Sequence, residues 1–206
     1  SHYKNIVLSF SPEVELKFKN FDIITGYSFA YAKLYSNEVE SNSRRNQHAL
    51  YVSTGSNALD NLKFFYSVRC DHFSDLKSNA LTSKIGANYK PFGKIDLNLH
   101  VNAGNNFRAP TFNDLYWKES GNPNLNPEQS FYVETGFIYG INFLIPVQLE
   151  FTYTYIDAKD KIVWMPQRNL LWKPINIASS KSNNYLINFS FLKEISDQFK
   201  IRLNSG

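Results

Sequence analysis

The chain has 206 residues, a formal net charge of +4, and a composition that is 43% hydrophobic and 16% aromatic. This apolar content excludes a disordered chain, and 9 glycines with 8 prolines are too few for a collagen-like or low-complexity one. No window approaches the roughly 20 apolar residues of a transmembrane helix, whereas transmembrane strands alternate apolar and polar residues and leave no such run. The basic residues are scattered, so no nucleic-acid partner is expected.

Hydrophobic residues recur with period 2 along nearly the whole chain, which predicts an all-β protein. The first stretch keeps one parity across Pro12, where a bend or bulge is expected, and a second run follows Lys19 and Asn20. The apolar positions of these two runs are Ile6, Leu8, Phe10, Val14, Leu16 and Phe18, then Phe21, Ile23, Tyr27, Phe29 and Tyr31. Further strands are predicted over residues 46–56, 61–73, 79–90, 94–106, 130–141, 147–158, 183–193 and 198–205, so that about ten strands are expected.

Connection lengths alternate along the chain, which favours an antiparallel up-and-down topology with two unlike ends. Short connections are predicted at 19–20, 57–60, 91–93, 142–146 and 194–197, long ones at 36–45, 107–129 and 159–182, and an intermediate one at 74–78. Strands of about 8 to 17 residues exceed the usual globular length and suit a tilted transmembrane strand. One apolar face towards lipid and one polar face towards a wet lumen therefore predict part of a transmembrane β-barrel. A soluble β-sandwich would also alternate and is the alternative fold.

The connection at 107–129 is rich in turn signals. Ala109-Pro110 ends the preceding strand, residues 112–117 predict a short helical turn, and Gly121-Asn122-Pro123 and Asn126-Pro127 are turn sequences. Glu128 is expected to begin the next strand.

This connection resembles a signature of the TonB-dependent outer-membrane receptors, in which an FRAP segment is followed by LY, GNPNL and PE. The matching residues are Phe107, Arg108, Ala109, Pro110, Asn113, Leu115, Tyr116, Gly121, Asn122, Pro123, Asn124, Leu125, Pro127, Glu128, Ser130, Glu134 and Gly136. The resemblance implies an outer-membrane protein of a Gram-negative-type bacterium, whose 22-stranded barrel encloses an N-terminal plug. In that family the barrel contacts outer-membrane lipid, binds a scarce small-molecule nutrient, and admits it when TonB pulls on an N-terminal box.

Compared with the 22-stranded, plugged barrel of that family, residues 1–206 are expected to be a fragment of a receptor barrel. The plug domain and the C-terminal strands are expected to be absent. TonB would act through the missing N-terminal region. Arg108 and Glu134 are expected to support loop and barrel structure.

If the long connections are extracellular, several aromatic and cationic residues in them are candidate ligand contacts. They are Tyr116, Trp117, Lys118, Trp164, Arg168 and Trp172. Haem receptors of the family usually carry a histidine between the two halves of the signature, and residues 111–120 have none, which leaves cobalamin and ferric siderophores as candidate ligands.

The sequence contains no recognisable catalytic, metal-binding or cofactor motif, so we expect no enzyme, metal or cofactor. A passive porin-like or adhesin barrel is the alternative function, with a soluble β-sandwich binding module as the other.

Overall fold

The fold is described from a computed structural model, which covers residues 3–40, 43–76, 79–93, 95–142, 146–168, 170–196 and 199–205. It contains eleven strands and one short helix, α1 at Phe112–Tyr116. The strands are β1 Tyr3–Phe10, β2 Glu13–Lys17, β3 Phe21–Ser36, β4 Arg44–Leu59, β5 Leu62–Phe73, β6 Ala80–Tyr89, β7 Asp96–Arg108, β8 Glu128–Asn142, β9 Pro146–Pro166, β10 Trp172–Ser196 and β11 Phe199–Ser205. In the described part of the chain no helix has the length and apolar character needed to cross a membrane.

The described strands form one antiparallel sheet in which neighbours in sequence are neighbours in space. The exception is the first edge, where β1 and β2 both pair with β3 and meet at Pro12. The carbonyl of Pro12 still accepts the Tyr27 N–H at 3.1 Å, so the break leaves that donor of β3 paired. Eleven strands therefore occupy ten positions across the sheet, which confirms the predicted number, the topology and the interruption at Pro12.

The register places the alternating residues on two continuous faces, because residues directly opposite each other in an antiparallel pair share a face. The apolar face contains Leu99, which pairs with Phe137, which in turn pairs with Phe151 and then Ile187. The polar face contains Asn102, which pairs with Glu134 and then Thr154. The predicted sorting is therefore confirmed.

The apolar face is uncovered, which separates this sheet from a sandwich. Leu8, Leu50 and Leu81 on it are 61%, 66% and 64% exposed. A soluble sandwich would bury such residues against a second sheet, and the described strands form a single sheet. Exposure of this kind suits a surface whose solvent is lipid.

Phe65 breaks the alternation in the sequence, and its position explains why. It lies on the polar face opposite Gly86, where a Cβ atom would collide with the Phe65 ring. Because Gly86 has no side chain, the Phe65 ring fits on a face that otherwise carries small and polar residues.

The predicted long connection at 159–182 is wrong. Strand β9 continues to Pro166 and β10 begins at Trp172, so the two strands form one long hairpin with only five residues between them. Cross-strand pairs from Trp172 with Pro166 to Ser180 with Ala158 occupy most of the segment. Polar, small and apolar residues are mixed on both faces here. A strand that projects beyond lipid needs no continuous apolar face, so the alternation that predicts strands is missing.

Fully buried residues lie mainly at the end of the sheet where the longer connections meet, which we call the rim. Leu115, Leu125 and Ile162 form a cluster there, with Tyr116 packed against it. The rim therefore has a small hydrophobic core of its own, while the sheet exposes both faces.

We predict that Leu99→Arg on the apolar face destabilises the complete barrel in a bilayer by about 2 to 4 kcal/mol, because a charge near the midplane meets hydrocarbon. The neighbouring Asn98→Arg on the polar face is the matched control and costs much less. Urea titration of both variants after folding into lipid vesicles gives the free energies of unfolding. Equal penalties would show that the face assignment is wrong.

Candidate functional site

The 109–127 connection, which we call the signature loop, is closed at its base by a charged pair. Arg108 at the end of β7 lies opposite Glu128 at the start of β8, and its Nη2 donates to Glu128 Oε1 at 2.6 Å. The same oxygen accepts the backbone N–H of Ile162 at 2.7 Å. Glu128 thereby joins β7, β8 and β9.

The hydrogen bond between Arg108 and Glu128 shifts the pKa of both side chains. The hydrogen bond from Arg108 lowers the pKa of Glu128; burial opposes this shift, and the hydrogen bond from the Ile162 N–H adds to it. The same bond raises the pKa of Arg108. Both groups remain charged across the neutral range.

The predicted helical turn is present as α1, and its first turn is fixed by a capping box. Asp114 N–H donates to Thr111 Oγ1 at 3.1 Å, and Thr111 N–H donates to Asp114 Oδ2 at 2.9 Å. The other carboxylate oxygen of Asp114 accepts the indole N–H of Trp164 at 2.9 Å. Asp114 is buried, so this short helix is held by the β9–β10 hairpin as well as by its own cap.

After α1 the signature loop pairs with the connection between β3 and β4. Val39, which is buried, forms an antiparallel bridge with Trp117. The Glu40 N–H donates to the Tyr116 carbonyl at 2.9 Å, and the Lys118 N–H donates to the Glu38 carbonyl at 3.0 Å. The Lys118 ammonium donates to the Asn37 carbonyl at 2.7 Å.

The glycine of the signature loop occupies a position that admits no side chain. A Cβ atom on Gly121 would lie 2.5 Å from the Trp117 nitrogen and 2.7 Å from the Leu115 carbonyl oxygen. Its own N–H donates to the Trp117 carbonyl at 2.7 Å. The chain can turn tightly after α1 only with glycine here.

Asparagines then connect the signature loop to the β9–β10 hairpin. The side chain of Asn122 donates to the Pro174 carbonyl at 3.1 Å. Asn126 N–H donates to Asn176 Oδ1 at 2.8 Å, and Asn176 Nδ2 donates back to the Asn126 carbonyl at 2.9 Å. Asn176 also reaches the carbonyl of Asp160, a residue in the left-handed region at φ 54°.

Arg45, which the sequence did not single out, is the main ion-pair anchor of the rim. Its Nε donates to both oxygens of Asp75 at 2.7 and 2.9 Å, and its Nη2 donates to the Pro110 carbonyl at 2.9 Å. The guanidinium also lies over the rings of Phe73 and Phe112. Both charged side chains are largely buried, at 13% and 9% exposure. In the sequence Arg45 sits beside Arg44 in a Ser/Asn-rich stretch, and no local pattern marks it as buried.

The predicted ligand contacts divide into two groups. In the first group, Trp164 donates a hydrogen bond to Asp114, and Trp117 and Lys118 contact residues 37–39. Tyr116 belongs to this group as well, and burial raises the pKa of its hydroxyl. Arg168 and Trp172 instead lie at the tip of the β9–β10 hairpin, where both are exposed. The structure therefore does not bring the six residues into one cluster.

A pocket of about 340 Å³ opens at the base of the signature loop. Small and polar residues of the polar face line much of it, among them Asn106, Ser130, Ala158, Ser180 and Ser182, beside the Arg108–Glu128 pair. None of the six predicted ligand residues lines it. Small side chains on adjacent strands leave a concave polar surface that sequence alternation does not reveal.

Below the pocket the polar face carries a hydrogen-bonded row across three strands. Asn102 Nδ2 donates to Glu134 Oε1 at 2.9 Å, and Thr154 Oγ1 donates to Glu134 Oε2 at 3.4 Å. Glu134, on β8, thus links β7 and β9 through these hydrogen bonds. Among the described residues no group of three or more His, Cys, Asp or Glu could hold a metal ion.

Comparison with known proteins gives matches over most of the chain. The family model described as TonB dependent receptor-like, beta-barrel, matches residues 6–193. The chain is 42% identical over 82 residues to the vitamin B12 transporter BtuB of Vibrio vulnificus, covering 39% of this chain and 13% of that protein. It is 40% identical over 86 residues to the BtuB of Photobacterium profundum, covering 40% of this chain and 14% of that protein.

Among solved structures, the siderophore receptor PirA of Pseudomonas aeruginosa superposes with a TM-score of 0.71 at 18% identity. That alignment covers 98% of this chain and 45% of PirA. The chain therefore spans less than half the length of these matched proteins.

We predict that Arg45→Met opens the signature loop, because it leaves Asp75 buried without its partner and removes the bond to Pro110. Breaking a buried pair in this way costs about 3 to 5 kcal/mol. Hydrogen exchange of residues 109–127 in the complete receptor measures the loss of protection. The adjacent Arg44→Met is the control, since Arg44 lies on the other face, and equal effects would contradict the anchoring role.

We also predict a pH-dependent contribution from Glu128. Because its pKa is lowered in the folded chain, its stabilisation is complete above the ordinary glutamate pKa of about 4.3 and is lost as the pH falls through the lowered value. Glu128→Gln should therefore lower the free energy of unfolding at pH 7 and lower it by less at pH 3, because the difference shrinks as the pH falls below about 4.3. Denaturant titrations at the two pH values test this, and a constant difference between variant and wild type would refute it.

Proposed function

The chain belongs to the TonB-dependent receptor β-barrel family, and on that premise we propose that it is part of a receptor that binds a scarce nutrient and imports it with TonB-derived energy. Membership makes it an outer-membrane protein of a Gram-negative bacterium, from a family of receptors and transporters and not of enzymes. The observation that carries the proposal is the family match over residues 6–193, which includes the whole signature loop.

Cobalamin is the ligand that we favour. Both matched curated relatives are vitamin B12 transporters, at 42% and 40% identity over the aligned parts. A ferric siderophore is the second candidate, because the absence of histidine from residues 111–120 disfavours haem and leaves both ligands open. The siderophore receptor PirA shares the fold along 98% of this chain. Its 18% identity supports a common architecture and gives no argument about the ligand.

We propose further that residues 1–206 are one portion of the barrel and that a plug domain and additional strands lie in other parts of the protein. The outer edges of β1 and β11 have no partner strand in the described sheet. Unpaired backbone groups at an open edge are not tolerated in hydrocarbon, so further strands are needed to close the sheet. A plug would face the polar side of the sheet and would be the element on which TonB acts.

The test uses the complete receptor, purified in detergent and titrated by calorimetry with cyanocobalamin and, separately, with a panel of ferric siderophores. Saturable binding of cyanocobalamin, together with uptake by cells that is lost when TonB is absent, is the expected result. Binding of one siderophore and not of cobalamin would establish the second candidate. Steady conductance through the receptor in planar bilayers without any bound nutrient would favour a passive porin instead.

For the ligand contacts, we predict that Trp172→Ala and Arg168→Ala weaken ligand binding by about tenfold, since each removes an exposed contact near 1.4 kcal/mol. Leu170→Ser is the control, because Leu170 is 83% exposed in the same turn and offers no aromatic or cationic group. Unchanged affinity in both test variants would exclude the hairpin tip from the binding surface.

A further inference from the structure

The apolar face of the sheet carries few charges, and their position is informative. By the described register, strands β1 to β8 place only Lys4, Lys33 and Arg44 as charged residues on this face. All three lie at the rim end of their strands. From there to the opposite end, the outward positions of these strands are apolar, aromatic or uncharged polar residues.

The three cations are neighbours across adjacent strands. Lys33 on β3 lies directly opposite Arg44 on β4, and Lys4 on β1 lies opposite Tyr35, two residues from Lys33. Directly opposed like charges destabilise a strand pair. The sheet nevertheless places Lys33 and Arg44 face to face, so that an anion between them would relieve their repulsion.

No carboxylate in the described structure supplies that anion. The ion pairs of the described residues involve other side chains, and Lys33 contacts Tyr35, whose ring centroid lies 4.6 Å from the Lys33 Nζ. By contrast, Arg45, on the other face, donates hydrogen bonds to the Asp75 carboxylate and to the Pro110 carbonyl. Adjacent arginines thus have opposite roles: one is internally paired, and the other is exposed with its charge directed outward.

The surroundings of the three cations match the depth of lipid headgroups. Tyr31 and Tyr35 flank Lys33 on the same face, and tyrosines collect at the boundary between hydrocarbon and water. Further from the rim the same face continues as Phe29, Leu50 and Val52. The cationic group is therefore continuous with the surface that lipid covers.

We propose that Lys4, Lys33 and Arg44 form a binding site for the phosphate groups of an anionic lipid in the surrounding outer leaflet. Arg44 offers a planar guanidinium suited to bidentate phosphate binding, and the two lysines add point charges on either side. The tyrosines contact the boundary of the same lipid. This site is separate from nutrient binding and does not depend on which ligand the receptor imports.

The experiment uses the complete receptor in detergent micelles that contain lipid A, a glycolipid with two phosphates, and native mass spectrometry to count the retained lipid. We expect K33Q/R44Q to reduce the retention of lipid A by about tenfold or more. Each of the two cations near an anionic surface strengthens binding by about fivefold. The matched control is K63Q/K84Q, which removes the same charge from the polar face. The charge-preserving K33R/R44K should retain lipid and so separates loss of charge from loss of folding.

A second arm replaces lipid A by its dephosphorylated form, which wild type should retain no better than K33Q/R44Q does. The proposal is overturned if K33Q/R44Q binds lipid A as wild type does, if K63Q/K84Q loses as much, or if removal of the phosphates changes nothing. It is also overturned if inorganic phosphate at micromolar concentration displaces the lipid, because the site would then take a free anion. Nutrient uptake should be unchanged in K33Q/R44Q.

Discussion

The pairing of backbone hydrogen bonds is the constraint on which the rest of this structure depends. A strand surrounded by lipid has no water to satisfy its N–H and C=O groups, so each must pair with a neighbouring strand. Antiparallel pairing then fixes which residues share a face, and the alternation of apolar and polar residues follows from it. The interruption at Pro12 obeys the same constraint, because its carbonyl accepts the Tyr27 N–H and the edge strand resumes on the same partner.

The rim follows a different physical rule. There the chain leaves the regular ladder, and side chains take over the pairing of backbone groups. Glu128 accepts the Ile162 N–H, Arg45 reaches the Pro110 carbonyl, and Asn176 bonds the carbonyls of Asn126 and Asp160. These hydrogen bonds hold the signature loop against three other connections in the described structure.

Much of the sheet could be predicted from the sequence, because each membrane-facing strand must alternate. The faces of β7, the break at Pro12 and the helical turn at α1 all carry local signals. The β9–β10 extension could not be predicted, because a strand beyond lipid needs no continuous apolar face and Lys159, Ser179 and Ser180 show no alternation. Arg45 was missed because its partners are 30 and 65 residues away. Trp164 looked like an exposed contact for the same reason, as its acceptor Asp114 lies on another element.

The β9–β10 hairpin has a consequence for any molecule that meets its tip. Beyond Lys159, the last β9 residue in the ladder with β8, β9 continues to Pro166, a rise of about 24 Å in which most residues pair with β10. A disordered loop of the same length would lose conformational entropy on meeting a ligand, whereas this hairpin has already lost it on folding. A molecule that contacts this hairpin therefore meets a surface whose shape is set in advance.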